Sequence, residues 1–484
     1  MLKGFLYILL MLYGHFLMAQ QSLQENVNKL LANSFYKYAN IGISVRDIQT
    51  GELVVDVEKD KMLVPASSLK LITTLSGVEL LGKDFRFETK ISYDGYVDTQ
   101  GTLKGNIYIE GGGDPTFGSA RIPGSLSTTE IIDRMAEDIN TYGIHCIEGN
   151  IIADESVFNS FPISPSWQWN DLGNYYAAGA WGLNINENQY AIYFHRNGAV
   201  GSMSKIAYFD PNIPDLEMIN EVTIDDADTG DNSYIFGGPY HYGKRIVGTI
   251  PQGKELYRVK GSIPDPPLYV ANRLFLALQK REMGGHHFKT KYQTDDSKSS
   301  RILISKYYSP VLSTIVRYTN DHSINLFSES ILKILGLNFK NIGSGTAGVA
   351  VIKEFLEKKG LDVLPLHMED GSGLSARNLM SPDFLTSFLL LYGKDKSMSE
   401  LENLLPPAGK RGTVKNILLQ SKAKGNMLVK SGSMDKILTY SGYCKTVSGR
   451  MVSFSVFLNS STAKKMKENK TELEKILDAI YRFY

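Results

Sequence analysis

The chain has 484 residues, 43% hydrophobic and 21% charged, and its 52 Lys and Arg against 51 Asp and Glu leave a formal net charge of +1. That is ample apolar material for buried cores, and at ~150 residues per domain it predicts two to four of them. An even charge balance without a Lys/Arg-rich block excludes the electrostatic footprint of a nucleic-acid binder or of an anionic membrane surface.

The first nineteen residues stand apart. Lys3 gives a positive start, Phe5 to Met18 is an almost unbroken apolar run, and Ala19 is small ahead of Gln20-Gln21-Ser22. This predicts a secretory signal peptide over 1–19 and a periplasmic or otherwise exported protein. The run is shorter than the ~20 residues of a spanning helix, so a retained anchor is the weaker reading. Two cysteines, Cys146 and Cys444, make no disulfide framework and are expected as free thiols. The eight histidines form no ligand-spaced pattern, so neither a metal nor a cofactor is predicted.

Helical spacing runs from Gln24 to Tyr38. Two strand-like runs follow, Ile41–Val45 and Leu53–Val57, joined by Asp47–Gly51 with hairpin-turn chemistry. Next comes Val64-Pro65-Ala66-Ser67-Ser68-Leu69-Lys70, opening an apolar helix, with Pro65 suited to its first turn. Phe85–Ile91 and Leu103–Ile109 alternate like strands, and Gly111-Gly112-Gly113-Asp114-Pro115 reads as a sharp turn without chemistry. A capping box, Ser127-Thr128-Thr129-Glu130, starts a helix to about Tyr142, and Ile147–Ala153 is a strand. Trp167 to Tyr176 is aromatic-dense and reads as a packed corner. From Tyr190 to Val259 strand-like pieces alternate with Gly/Pro/Asp turns. Helices return after Pro264, over Leu268–Lys280, Val311–Thr319, Ser323–Leu335, Gly345–Lys358 and Pro382–Leu391. Strands are expected at Met427–Val429, Lys436–Tyr443 and Arg450–Leu458, with a last helix over Lys464–Tyr484.

Ser67 and Lys70 lie one helical turn apart, which brings their Cβ atoms to ~5–6 Å. A serine needs an adjacent base to become a nucleophile, and a lysine serves as one when burial or a nearby cation lowers its pKa. Alone the pair is weak, since Ser-x-x-Lys recurs elsewhere, at Ser330/Lys333 for example. Its company decides. His322-Ser323-Ile324-Asn325 holds the chain's Ser-x-Asn at a helix start, and Lys430-Ser431-Gly432-Ser433 its Lys-[Ser/Thr]-Gly at a strand end. Ser-x-x-Lys, Ser-x-Asn and Lys-Ser-Gly in that order are the signature of penicillin-recognising acyl-serine enzymes. In such a set Ser67 attacks an amide carbonyl, Lys70 takes its proton, and the N–H groups of Ser67 and Ser433 hold the oxyanion. Ser323 relays a proton to the leaving amine and Asn325 holds the substrate's peptide group. Lys430 with the hydroxyls of Ser431 and Ser433 binds a terminal carboxylate.

Together with Gly112–Thr116, Trp167–Asn188 and Asp370-Gly371-Ser372-Gly373-Leu374-Ser375, these stretches resemble the class C low-molecular-weight penicillin-binding proteins, the D-alanyl-D-alanine carboxypeptidase/endopeptidase family. The 256 residues from Ser67 to Ser323 match that family's habit of inserting two domains there. The resemblance implies an α+β fold: a serine β-lactamase/transpeptidase-like catalytic domain, an antiparallel sheet flanked by helices, with two strand-rich inserted domains. The boundaries expected are 20–82 and 266–484 for the catalytic domain and 83–265 for the insertion. It further implies cleavage of D-Ala-D-Ala or of cross-bridges in peptidoglycan peptides, with β-lactams as covalent inhibitors. Asp154 matches an aspartate that the family uses for the side chain of the penultimate diamino acid, although a strand-end turn would equally account for it. Two departures stand out: Ser431 replaces the commoner threonine, and Ala376 precedes Arg377 where the arginine is expected first. A β-lactamase or esterase of the same fold, and a catalytically silent peptidoglycan-binding protein, are the alternatives. The sequence leaves open whether the chain acts as a monomer or a homodimer.

Overall fold

Strand-forming stretches from the two ends of the chain meet in one sheet. The computed structural model describes residues 25–30, 32–291, 300–463 and 465–482, so the signal-peptide reading of 1–19 lies outside the described residues. Among the described residues, no helix is long and apolar enough to cross a membrane. The chain divides into two compact units, one formed by Met1–Leu81, Val316–Ile324 and Val349–Tyr484, the other by Gly82–Ile315 and Asn325–Gly348.

The first unit is built on a five-stranded antiparallel sheet in the order Met427–Met434, Ile437–Lys445, Met451–Asn459, Asn40–Asp47, Leu53–Val57. Asn40 pairs with Asn459 and Asp47 with Val452, so the N-terminal hairpin is completed by the last strand of the chain. Alternation along these strands sorts side chains to two faces. Ile43, Val45, Phe454 and Val456 join a core with Leu473, Ile476, Leu477 and Ile480 of the amphipathic helix Met466–Arg482. The alternate residues meet the helix Pro382–Gly393: Ser44 Oγ lies 2.8 Å from Thr386 Oγ1, and Ser453 Oγ donates to the Thr386 carbonyl. An antiparallel sheet flanked by helices is the architecture expected from the sequence, and the whole is α+β.

The second unit holds a five-stranded mixed sheet in the order Phe288–Thr290, Ile151–Asp154, Ile107–Glu110, Glu88–Tyr93, Ile302–Tyr308. Three three-stranded sheets accompany it among the described residues, around Gln189–His195, around Gly243–Pro251 and around Thr102–Lys104. Its core packs Ile107, Ile109 and Ile151 with Ile132, Met135 and Ile139 of the helix Thr128–Thr141, and with Val270, Leu274 and Leu278 of the helix Pro266–Lys280. Ser127 and Glu130 close both bonds of the capping box read from the sequence. The single strand expected over Leu103–Ile109 is two, Thr102–Lys104 and Ile107–Glu110, in different sheets. The chain breaks between them where the Asp94 carboxylate takes the Asn106 N–H at 2.5 Å. Ile147–Ala153 is likewise two strands, Cys146–Ile147 and Ile151–Asp154. Both cysteines are free.

Candidate active site

Within the first unit, Val64–Leu69 is clamped on both sides before the helix begins. Asn459, at the end of its strand, accepts from the Val64 N–H at 2.8 Å and donates to the Val64 carbonyl. Thr439 Oγ1 donates to the Pro65 carbonyl and lies 2.8 Å from Ser68 Oγ. Held this way, Ala66 adopts a left-handed φ of 45°, a conformation that L-residues keep only when their surroundings impose it. A 3-10 turn, Ala66–Leu69, then leads into the helix Lys70–Leu81, with Ser67 at its mouth. No described residue accepts from the Ser67 N–H, which leaves this donor available.

Lys70 is fully buried, and its Nζ donates to Ser67 Oγ at 2.9 Å and to the Ser372 carbonyl at 2.6 Å. That carbonyl is fixed by its own turn. The buried Asp370 carboxylate accepts from the N–H groups of Gly373 and Ser375, both at 2.7 Å, and from Asn378 Nδ2 at 2.9 Å. Gly373 has a φ of +76°, and a Cβ there would stand 1.9 Å from the Ala66 carbonyl oxygen. Only glycine lets this turn come so close to the Ser67 loop.

The strand Met427–Met434 passes the serine on its other side. Lys430, fully buried, donates to Ser323 Oγ at 3.0 Å and to the Ser431 carbonyl at 2.7 Å. A Cβ on Gly432 would lie 2.7 Å from the Ser67 N and 2.8 Å from the Pro65 carbonyl oxygen, so a side chain would force the strand off the serine. Ser433 is exposed, in register opposite Leu438. Burial, and after it the positive charge of Lys70, pulls the Lys430 ammonium well below the ordinary lysine value, with Asp321 acting against them. Two buried amines close enough to sense each other's charge resist being protonated together.

Ser323 sits in the break between the helices Leu312–His322 and Asn325–Lys340, not inside a helix start, and its φ is 57°. Asp321 anchors the break: Arg411 Nε donates to both its oxygens at 3.0 and 3.1 Å. Two residues beyond Arg411, Thr413 Oγ1 lies 2.8 Å from Ser431 Oγ, so one short segment ties the serine of the second motif to that of the third.

Ser67, Lys70, Ser323, Lys430, Ser431 and Gly432 are therefore linked by bonds and close approaches within one unit. Asn325 and Asp154 belong to the second unit. Asn325 Nδ2 donates to the Tyr176 carbonyl at 2.7 Å, and Tyr176 Oη donates to Asp171 at 3.0 Å. Asp154 is nearly buried and engaged: Arg301 lies at 2.7 Å and Lys291 at 3.4 Å. Burial opposes its charge, yet bonds from Ser156 and Arg301 hold its carboxyl below the usual range. Sequence reasoning missed Asp370, Ser372, Arg411 and Thr413 as parts of the site. Asp370-Gly371-Ser372-Gly373 was legible as a motif, but a backbone carbonyl that orients a lysine leaves no side-chain signature.

The model of the D-Ala-D-Ala carboxypeptidase 3 (S13) family matches residues 23–480. Among curated proteins, the D-alanyl-D-alanine carboxypeptidase DacB of Haemophilus influenzae is 24% identical over 430 residues, 87% of this chain and 85% of that protein. The D-alanyl-D-alanine carboxypeptidase of an Actinomadura species is 25% identical over 463 residues, 90% of this chain and 81% of that protein. The crystal structure of penicillin binding protein 4 from Haemophilus influenzae superposes with a TM-score of 0.80, covering 95% of this chain and 98% of that one at 22% identity, and shares the fold.

Proposed function

The chain belongs to the D-Ala-D-Ala carboxypeptidase 3 (S13) family, a serine peptidase, and from that premise we propose the part each residue takes in the reaction. Ser67 Oγ attacks the carbonyl of the D-Ala-D-Ala amide while Lys70 Nζ accepts its proton. The oxyanion is stabilised by the N–H groups of Ser67 and Ser433, donors that cost no reorganisation when charge develops. The tetrahedral adduct collapses, the C–N bond breaks, and the departing D-alanine amine receives a proton from Lys70 by way of Ser323, beside Lys430. Water then attacks the acyl-serine and gives its proton to Lys70 Nζ; the ester C–O bond breaks, Ser67 Oγ takes that proton back from Lys70, and the shortened peptide leaves. Lys430 and the hydroxyls of Ser431 and Ser433 bind the substrate's terminal carboxylate, and Asn325 its peptide group.

The observation that supports this most is the paired contact of Lys70 with Ser67 at 2.9 Å and of Lys430 with Ser323 at 3.0 Å. D-alanine released from a pentapeptide ending in D-Ala-D-Ala tests it: the enzyme releases D-alanine, Ser67→Ala releases none, and a Ser67→Ala protein that keeps the activity refutes the mechanism. β-Lactams acylate Ser67 as substrate mimics that deacylate slowly; rapid turnover of penicillin would favour the β-lactamase alternative. Cross-linked muropeptides, digested and weighed by mass spectrometry, separate carboxypeptidase from endopeptidase action. Export rests on residues 1–19, and a mature N-terminus near Gln20 in the producing cell tests it.

For the amine of the penultimate diamino acid, Asp154 is one candidate. Its ion pairs with Arg301 and Lys291 would have to open for it to serve. Asp171 is the stronger one. It has a tyrosine hydroxyl rather than a cation as partner, burial pushes its carboxyl up, and Tyr176 joins it to Asn325. Asp171→Asn is expected to lower the preference for free-amine over acetylated peptides, and Asp154→Asn to leave it unchanged.

A further inference from the structure

The Gly111–Pro115 turn carries a buried carboxylate that the reaction does not use. Asp114 is only 5% exposed, and one oxygen, Oδ1, accepts from the Thr116 N–H at 2.8 Å and from Thr116 Oγ1 at 2.6 Å. Among the described residues its other oxygen has no hydrogen-bond partner, and no cation pairs with it. That oxygen is not sealed in the interior but reached from the cleft, where it is free to accept from a ligand or from water. Burial alone pushes this carboxyl up to about 6, against the two bonds from Thr116.

Asp114 lines a cleft of about 530 Å³ formed wholly within the second unit. That volume suits a ligand of one or two sugar rings. Phe117 and Tyr307 supply apolar wall, and Tyr308 and Leu126, 58% and 43% exposed, stand at the cleft as uncovered apolar surface. Arg86 also lines it, spending one N–H on the Ser309 carbonyl at 2.6 Å and pairing with no acid, while Lys306 is tied to Glu88. A lining with two cations and one carboxylate disfavours an ammonium ligand. A neutral ligand fits instead: hydroxyl or amide donors for Asp114, carbonyl or hydroxyl acceptors for Arg86, and a C–H face for the rings.

We propose that this cleft is a subsite for the acetamido sugars of the glycan strand, with Asp114 accepting from sugar donors and Tyr308 packing against a ring face. The choice of sugar rests on the peptidoglycan reading above; the site itself rests on the cleft. Such a subsite would hold a strand while its stem peptides are cut.

Titration calorimetry of the whole protein with the N-acetylglucosamine β-1,4-tetramer tests the proposal without any hydrolysis. Saturable binding is expected, with maltotetraose failing to compete. Asp114→Asn and the exposed Tyr308→Ala should each weaken binding by ~10-fold, about what one hydrogen bond or ring contact contributes. Tyr308→Ala protects against misfolding of the Asp114 turn as an explanation, and it should release D-alanine from a glycan-free pentapeptide at the wild-type rate. The absence of binding at millimolar tetramer, equal binding of maltotetraose, or unchanged affinity in both variants would overturn the subsite while leaving the peptidase reading intact. Tetramer binding by a protein that releases no D-alanine would do the reverse.

Discussion

At the scale of single residues, two buried lysines each donate to a serine of the candidate site. Lys430 carries a pKa drawn well below 10.5 by burial and by the charge of Lys70. In the unfolded chain the same amine keeps its ordinary value, so between the two values the unfolded state binds more protons. Stability then rises with pH through that window and is lost as pH falls through the folded value. Replacing Lys430 by Met removes this slope. The stability of the wild type relative to Lys430→Met is therefore expected to increase from pH 7 toward pH 10, by at most ~1.4 kcal/mol per pH unit. Urea unfolding at three pH values measures it, and a flat or falling difference would show that Lys430 stays charged in the fold. Gly432 is the second telling residue. Adding one methyl there presses on the Ser67 N and the Pro65 carbonyl, so Gly432→Ala is expected to cost ~10²-fold in acylation, the scale of losing an oxyanion donor. Circular dichroism should stay unchanged.

At the scale of elements, the site is made by places where regular structure is interrupted. Ala66 and Ser323 both take left-handed backbone, one before a helix and one between two. The sequence showed helix starts at both, because Pro65 and the periodic leucines are local signals. It did not show the interruptions, because these are imposed by distant partners: Asn459 and Thr439 for the first, Arg411 for the second. The same limit hid the Asp370 turn's task. Asp370→Ala removes three bonds to a buried carboxylate and lets the Ser372 carbonyl drift from Lys70. A loss of ~3 kcal/mol or more is expected from charge-assisted bonds of this kind, with D-alanine release falling ~10-fold or more as the base loses its orientation. Thermal unfolding and a kcat/KM measurement check the two halves separately.

At the scale of the whole molecule, the catalytic sheet cannot form until the last strand is available, since Met451–Asn459 lies between the Asn40–Asp47 and Ile437–Lys445 strands. The C-terminal helix covers that sheet with Leu473, Ile476 and Leu477, all fully buried. Ile476→Ala is expected to destabilise the first unit by ~2–5 kcal/mol through the cavity it leaves, read as a lowered unfolding temperature with penicillin labelling intact below it. The order of motifs and the long gap between the first two were legible from sequence because each carries reactive side chains at fixed spacing. The second unit was legible only as strands and turns. Its breaks, at Asn106 for instance, depend on carboxylates that reach back across the chain.

Ser67, unmasked by Lys70, is expected to be the residue that becomes acylated. Mass spectrometry of the protein after exposure to benzylpenicillin, intact and then digested, tests it most directly. One penicilloyl adduct is expected, on the peptide that contains Ser67, and none in Ser67→Ala. An adduct on any other residue, or one that survives in Ser67→Ala, would contradict it.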